Sequence, residues 1–305
     1  MSEGLDLLQE LPSHPDPTED ELAKYDYSDW KGLFSEWHKT VGLLAVHWSF
    51  VVQESPALKR VSKFHFIILT ALLSRIGRLM MANLRMASED RHFEAISIID
   101  RSLHETAVKL AWLCKSKDPG RFDRYLADGL RNDFEFRKHI LAAAQVRGHQ
   151  TAIEARMLAS IERSIRTSGI SEGRIAEIKR IPTLETLMRE VGFKDLGYVV
   201  VQRMGSHAVH GTWTGLLGST IDVENSTLRL RSEFNSPHPN QLMFGSVMVL
   251  EAISAFCNFV SRREHRIEIE AIIEGYRAKL LHHNLTMAAG DLKPSDPPET
   301  FSSGH

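Results

Sequence analysis

The sequence contains little cysteine: Cys114 and Cys257 are the only two thiols in 305 residues. Two thiols so far apart along the chain favour neither a disulfide framework nor a cysteine metal cluster. Free thiols are typical of proteins in a reducing compartment. We therefore predict a cytoplasmic protein without structural disulfides.

Motifs that bind cofactors are also missing. The phosphate loops GxGxxG and GxxxxGK(S/T) do not occur, and neither do HExxH, CxxC or an EF-hand loop. The sequence therefore lacks the usual signals for a nucleotide or metal site. His207 and His210 form a HxxH pair, but a metal site needs a third ligand, and no acid lies nearby at helical spacing. We predict no cofactor and no metal, and treat His207 as a supporting polar residue.

Long apolar runs are scarce as well. The N-terminus is acidic and has neither the basic nor the apolar region of a secretory signal. The segment nearest to membrane length is 241–260, and Glu251 lies at its centre. An acidic residue at the centre of a membrane-spanning helix adds about 2.5–3.5 kcal/mol to the free energy of inserting that helix into a bilayer. We predict that this segment is a buried core helix and that the protein does not contact a membrane.

The total charge is close to zero, with 39 acidic and 37 basic side chains, which excludes a generally basic nucleic-acid binder. The charges are unevenly placed, because residues 1–30 contain nine acids and a single base, Lys24. We interpret 1–30 as an acidic, partly disordered N-terminal arm, which solvates the chain or shields a basic surface. Residues 31–305 then carry 36 bases and 30 acids, which permits RNA as a partner.

Apolar residues recur at helical spacing through most of the chain, which predicts an all-α protein. Apolar and polar residues alternate near 220–239, which favours one short hairpin or ordered loop there instead of a helix. We expect a compact multi-helix bundle in a single domain over 31–288, followed by a disordered tail over 289–305. The predicted helices are 31–53, 58–87, 91–116, 119–146, 150–168, 171–180, 183–191, 194–216, 239–262 and 265–287.

The predicted helix 194–216 places a basic and a titratable side chain on one face. Arg203, Ser206 and His210 are separated by three and four residues, so they point the same way. A neutral imidazole is able to deprotonate a 2′-OH or protonate a 5′-oxygen, and a guanidinium is able to stabilise the phosphorane. The pair therefore suits metal-free RNA cleavage. Six Arg–His pairs in the chain have a comparable spacing, so the spacing alone is not diagnostic.

The predicted helix 91–116 carries a second polar pair, Arg101 and Glu105, at i and i+4. Apolar residues surround nearly the whole helix, which predicts a central position with both side chains buried or half-buried. The pair is then either an ordinary ion pair or part of a polar cluster with a functional or architectural role. Asp100 and His104 form another i, i+4 pair, which we interpret as structural.

Two segments resemble one family. DRSLHETAVKLAWL at 100–113 resembles the R-x-x-x-E helix of a widespread bacterial helical family of unknown function. Residues 182–217 resemble its second signature, a short helix, a glycine, a tyrosine and then Ser-x-x-x-His. The resemblance runs over roughly 60–240. The residues that it singles out are Arg101, Glu105, Tyr198, Ser206 and His210.

This family resembles HEPN proteins in its helical layout, and Arg203-x6-His210 matches the Arg-x4–6-His signature of HEPN ribonucleases. Met204 departs from the polar residue that usually follows that arginine. The resemblance implies a homodimer that cleaves RNA at its interface, in phage defence or a toxin system. The first hypothesis is thus a metal-independent endoribonuclease with His210, Arg203, Arg101 and Glu105 in its site. The second is a non-catalytic helical module that binds an operon partner or senses a ligand.

Overall fold

The computed structural model describes residues 11–51, 53–88, 92–193, 209–224, 227–231 and 237–291. About 76% of this part of the chain is helical, which confirms the all-α prediction. In chain order the helices are α1 (Glu19–Leu22), α2 (Tyr27–Ser49), α3 (Lys63–Ala87), α4 (Phe93–Lys115), α5 (Arg121–Arg147), α6 (Ala152–Ser168), α7 (Glu172–Glu177), α8 (Leu184–Val191), α9 (Trp213–Ser219), α10 (Pro239–Val260) and α11 (Arg263–Asp291).

The predicted hairpin is present between α9 and α10. Strands β1 (Ile221–Glu224) and β2 (Thr227–Leu230) pair antiparallel, with Ile221 opposite Leu230 and Val223 opposite Leu228. In this register apolar residues face apolar residues, and Asp222 faces Arg229. The hairpin prediction is therefore confirmed.

The described chain divides into two compact units. The larger unit comprises 1–115 and 191–305, and the smaller comprises 116–190. The smaller unit has its own apolar cluster, which joins α5 to α7 and to the segment before it. The members of that cluster are Ala127, Leu130, Phe134, Ile170 and Ile175.

A four-helix bundle forms the centre of the larger unit. Helix α2 packs against α3 and α10, and α4 packs against the same two helices on the other side. The bundle interior holds large side chains that solvent does not reach, including Trp48, Trp112 and Phe256. Helix α11 packs outside the bundle, against α10.

Helices α3 and α10 are both long and apolar enough to cross a membrane, judged by length and composition alone. Both are bundle helices, and 61% of the most apolar window of α10 is buried inside the protein. The core helix of a globular protein passes the same test, so the absence of membrane contact stays a prediction.

Part of the acidic arm is ordered against the bundle. Tyr276 Oη donates to the carbonyl of Pro12, and the His14 ring stacks on Trp37 at 5.4 Å between centroids. Helix α2 begins at Tyr27, ahead of the boundary predicted at residue 30, and α11 continues to Asp291, past the boundary predicted at 288. The division into arm, single domain and tail stays a prediction.

The predicted continuous helix 194–216 is wrong at its C-terminal end. Gly211 has φ +53, and Thr212 is extended and caps a new helix, because its Oγ1 accepts from the Gly215 amide at 3.2 Å. Glycine adopts this left-handed conformation without strain, so it separates His210 from α9. Residues 194–208 lie outside the described part of the chain.

Candidate functional site

Arg101, Glu105 and Lys109 form a ladder along the outer face of α4. Glu105 Oε1 accepts from Arg101 Nε at 3.3 Å, and Glu105 Oε2 lies 3.8 Å from Lys109 Nζ. The Arg101 side chain is 22% exposed and the Glu105 side chain 33%. These groups are half-buried at the surface of the bundle, so their polar heads remain within reach of a ligand.

Helix α3 adds further cations beside this ladder. It contains four basic residues and no acid, and Arg75 and Arg78 are exposed. Arg75 Nε donates to Thr106 Oγ1 at 3.3 Å, which brings Arg75 next to the residue that follows Glu105. We call Arg75, Arg78, Arg101 and Lys109 the basic face. Arg101 and Lys109 share the Glu105 carboxylate, and Arg75 and Arg78 add two more cations on α3, so the face carries a positive charge suited to phosphate.

Behind the ladder, polar side chains from all four bundle helices meet in the interior. Asp100 of α4 accepts from Asn83 of α3 at Oδ1 and from Gln241 of α10 at Oδ2. His38 of α2 contacts the Leu242 carbonyl at 3.1 Å through Nδ1. We call His38, Asn83, Asp100, His104, Gln241 and Ser246 the interior polar cluster.

Burial controls the protonation of this cluster. It raises the pKa of the Asp100 carboxyl to about 6, against the opposing effect of the hydrogen bonds from Gln241 and Asn83. It lowers the pKa of His38 to about 4 and that of His104 to about 3, because a charged ring is poorly solvated there. Both imidazoles are therefore neutral at pH 7. Since a carbonyl only accepts, His38 carries its proton on Nδ1.

The Nε2 atoms of His38 and His104 have no hydrogen-bond partner in the described part of the chain. His38 Nε2 and His104 Nε2 are both fully buried. Both rings approach the backbone of α10 at Gly245, where a Cβ atom would lie 3.4 Å from His38 Cε1 and 3.7 Å from His104 Nε2. His38 Nε2 is therefore an unpaired acceptor inside the bundle, and His104 Nε2 is an unpaired polar atom beside it.

His210 lies at an exposed position directly before the turn at Gly211. Its imidazole is open to solvent, as an acid–base group acting on a large substrate requires. Four predicted site residues, Tyr198, Arg203, Ser206 and His207, fall outside the described residues. The approach of His210 to Arg203 or Arg101 therefore stays a prediction.

Sequence reasoning identified part of this arrangement. The Arg101–Glu105 pair follows from local helical spacing and is present. The interpretation of Asp100 and His104 as a pair is wrong, because Asp100 bonds to Asn83 and Gln241 instead. His38, Asn83, Gln241 and Ser246 were missed. Their only sequence signal is a polar residue within an apolar helical stripe, which does not name the partner.

No group of three or more His, Cys, Asp or Glu side chains that could hold a metal occurs among the residues with described positions. His207 is not among them, so the HxxH pair is not tested by this observation.

Comparison with known proteins gives one match. Residues 66–227, more than half of the chain, match a family described as "Family of unknown function (DUF5677)". The match includes α4 with Arg101 and Glu105 and the stretch that contains His210. No curated protein and no solved structure matches the chain. The protein thus belongs to the DUF5677 family of unknown function.

Proposed function

We propose that the protein is a HEPN-like, metal-independent endoribonuclease of the bacterial cytoplasm that acts in phage defence or as a toxin. The observation that carries the proposal is the position of Arg101. This arginine lies at the surface, on the basic face, and it is not sealed inside the bundle. A guanidinium that is partly exposed can contact a phosphate group while it stays bonded to Glu105.

The basic face supports binding of an RNA backbone. Phosphate contacts from Arg and Lys supply most of the sequence-independent affinity for nucleic acids. Arg75 and Arg78 extend the cationic surface from α4 onto α3, so it is wide enough to contact more than one phosphate. Glu105 holds Arg101 by a hydrogen bond at 3.3 Å and so positions it.

The chemistry requires only side-chain groups. The neutral His210 imidazole takes the proton from a 2′-OH, and that oxygen attacks the adjacent phosphorus. Arg203 or Arg101 stabilises the charge of the phosphorane. The bond to the 5′-oxygen breaks, this oxygen takes a proton from water, and the protonated His210 returns its proton to solvent, which leaves a 2′,3′-cyclic phosphate and a free 5′-OH.

The proposal is tested by incubating single-stranded RNA with the purified protein in EDTA. We expect the wild type to cleave the RNA and to leave cyclic phosphate ends. His210→Ala should lose about 10²–10⁴-fold in rate, the usual contribution of a general acid–base group. Arg101→Ala should cleave more slowly as well, because it loses charge at the basic face.

His149→Ala is the matched control, because His149 is also an exposed histidine but lies in the other unit. It should cleave RNA as the wild type does. Equal cleavage by the wild type and His210→Ala, or none by the wild type, would overturn the proposal.

The second candidate is a non-catalytic helical module that binds an operon partner or senses a ligand. The interior polar cluster favours it, because the buried Nε2 atoms of His38 and His104 have no partner among the described residues and could bind a ligand group. This candidate predicts that wild type and His210→Ala behave alike with RNA. The same experiment therefore separates the two candidates.

A further inference from the structure

Two short basic segments meet at one end of the four-helix bundle. The segment between α2 and α3 pairs with the segment between α10 and α11 through an isolated antiparallel bridge, with Leu58 opposite Ser261. The Lys59 amide donates to the Val260 carbonyl at 2.8 Å in the same bridge. The backbone of both segments is therefore fixed, although they are far apart in the sequence.

Both segments are rich in cations. We call the basic residues nearest to the bridge the basic junction; they are Lys59, Arg60, Lys63, Arg262, Arg263 and Arg266. None of the six has an ion-pair partner among the residues that the structure describes. Residues 53–63 and 261–270 also contain four acids, all of them exposed. The positive charge thus exceeds the negative charge, and no carboxylate is bound to it within the described chain.

Backbone carbonyls hold two of these guanidinium groups. Arg262 Nε donates to the Leu58 carbonyl at 3.1 Å, and Arg266 Nη2 donates to the Ser261 carbonyl at 3.4 Å. A carbonyl accepts the hydrogen bond and orients the side chain, but it leaves the positive charge without a counterion. Both arginines are therefore positioned before an anion arrives, which reduces the entropy lost when it binds.

Lys59 and Arg266 are the half-buried members of the junction. Burial lowers the pKa of Lys59, the nearby charge of Arg266 lowers it further, and the Cys114 thiol acts in the opposite direction. The Lys59 ammonium also lies over the Phe259 ring, 5.0 Å from its centroid. Two like charges held together and partly out of water are unfavourable, and an anion between them would remove this cost.

The base of the junction has unpaired polar atoms as well. Arg266 Nε and Ser261 Oγ are buried, and neither has a hydrogen-bond partner among the described residues. Arg266 Nε is only a donor, so it lacks an acceptor. Buried polar groups are nearly always paired in native proteins. The junction is therefore short of acceptor atoms and of negative charge.

We propose that the basic junction binds a phosphate group, with Lys59 and Arg266 as the side chains that contact it. Phosphate is compact, negatively charged and rich in acceptor oxygens, so it supplies both of the missing properties. The group belongs to a small molecule or is free phosphate. This inference does not rest on RNA cleavage, because the junction shares no residue with the basic face or with the proposed ribonuclease site.

Isothermal titration calorimetry at low ionic strength tests the site with inorganic phosphate, AMP and adenosine. We expect the wild type to bind phosphate or AMP saturably and not to bind adenosine, which has no phosphate. Lys59→Gln and Arg266→Gln should each weaken binding about tenfold or more, because each removes a charged donor. Lys24→Gln is the matched control, since Lys24 is an exposed lysine of the same unit that precedes α2; it should bind as the wild type does.

The outcomes separate the sources of the phosphate. Binding of inorganic phosphate shows that the group alone suffices, and binding of AMP alone indicates a phosphorylated organic molecule; both support the proposal. Equal binding of AMP and adenosine, equal binding by the wild type and Lys59→Gln, or no binding of either phosphate compound contradicts it. A Lys59→Gln variant that loses only affinity for single-stranded RNA contradicts it too, because the junction would then bind a nucleic-acid backbone.

Thermal unfolding without ligand checks that the variants fold. The Lys59 side chain makes no hydrogen bond within the described residues, so Lys59→Gln should unfold close to the wild-type temperature. Arg266→Gln loses its bond to the Ser261 carbonyl and should be slightly less stable. Loss of phosphate binding in a folded Lys59→Gln protein is thus assigned to the site and not to unfolding.

Discussion

At the scale of single residues, the interior polar cluster is the most constrained part of the molecule. Its members come from α2, α3, α4 and α10, and each hydrogen bond joins two different helices or a side chain to a helix carbonyl. An apolar interface tolerates a shift of one helix along another, but a buried hydrogen bond does not. We infer that the cluster determines the register of the four bundle helices.

The cluster makes stability depend on pH. The pKa of His38 is lowered to about 4 and that of His104 to about 3, so below pH 6.5 the unfolded chain binds two protons that the folded protein does not. Stability therefore falls as the pH falls. Asp100 has the opposite effect. Its pKa is raised to about 6 in the folded protein, so below that pH the folded form binds a proton that the unfolded chain does not, and this stabilises the fold. Taken together, the three groups should lower the free energy of unfolding by roughly 4 kcal/mol when the pH falls from 7 to 4.

Urea unfolding at a series of pH values measures this effect. The informative comparison is with Asp100→Asn, which removes the opposing contribution and should make the loss of stability on acidification steeper. The difference in unfolding free energy between the two proteins should change mainly between pH 4 and pH 6. A difference that is constant over this range would contradict the assigned role of Asp100.

At the scale of elements, local chemistry explains where most helices begin and end. Thr151 and Glu154 form a capping box at the start of α6, and Gly169 ends that helix with φ +69. Gly192, with φ +94, follows α8. These signals lie within a few residues of each other in the sequence, which is why the helix ends were predictable.

Close packing of α2 against α3 requires a glycine. A Cβ atom on Gly77 would lie 2.5 Å from Val46 Cγ2 and 3.0 Å from the Gly42 carbonyl. Gly77→Ala should therefore destabilise the protein by about 1–3 kcal/mol, because overpacking separates the helices. Thermal unfolding checks this expectation.

Gly32→Ala is the matched control within α2, because nothing lies within 4 Å of the added methyl group. Alanine is the better helix former, so this variant should gain up to about 1 kcal/mol. If both substitutions stabilise the protein, then the contact between α2 and α3 is looser than described.

At the scale of the whole molecule, the chain contains two separate apolar cores. The cluster around Phe134 belongs to residues 116–190, whereas the four-helix bundle belongs to the other unit. Compact units with their own cores often open separately. We therefore expect local stability to differ between them.

Phe134→Ala tests this expectation. Phe134 is 7% exposed, and its truncation should lower the free energy of unfolding of the smaller unit by about 3–5 kcal/mol. Native-state hydrogen exchange should then accelerate at the amides of α5, α6 and α7 and remain unchanged in α2 and α3. Equal acceleration in all five helices would show that the two cores unfold together.

The sequence by itself determined the all-α class, the hairpin near 220–239 and the Arg101–Glu105 pair, because periodicity, capping and i, i+4 contacts act within a few residues. Only the tertiary structure decided that Asp100 bonds to Asn83 and Gln241, and that His38 and His104 approach Gly245 together. It also decided which side of α11 is exposed, since both sides are apolar. These features join residues up to about 200 positions apart, and their geometry depends on how whole helices pack.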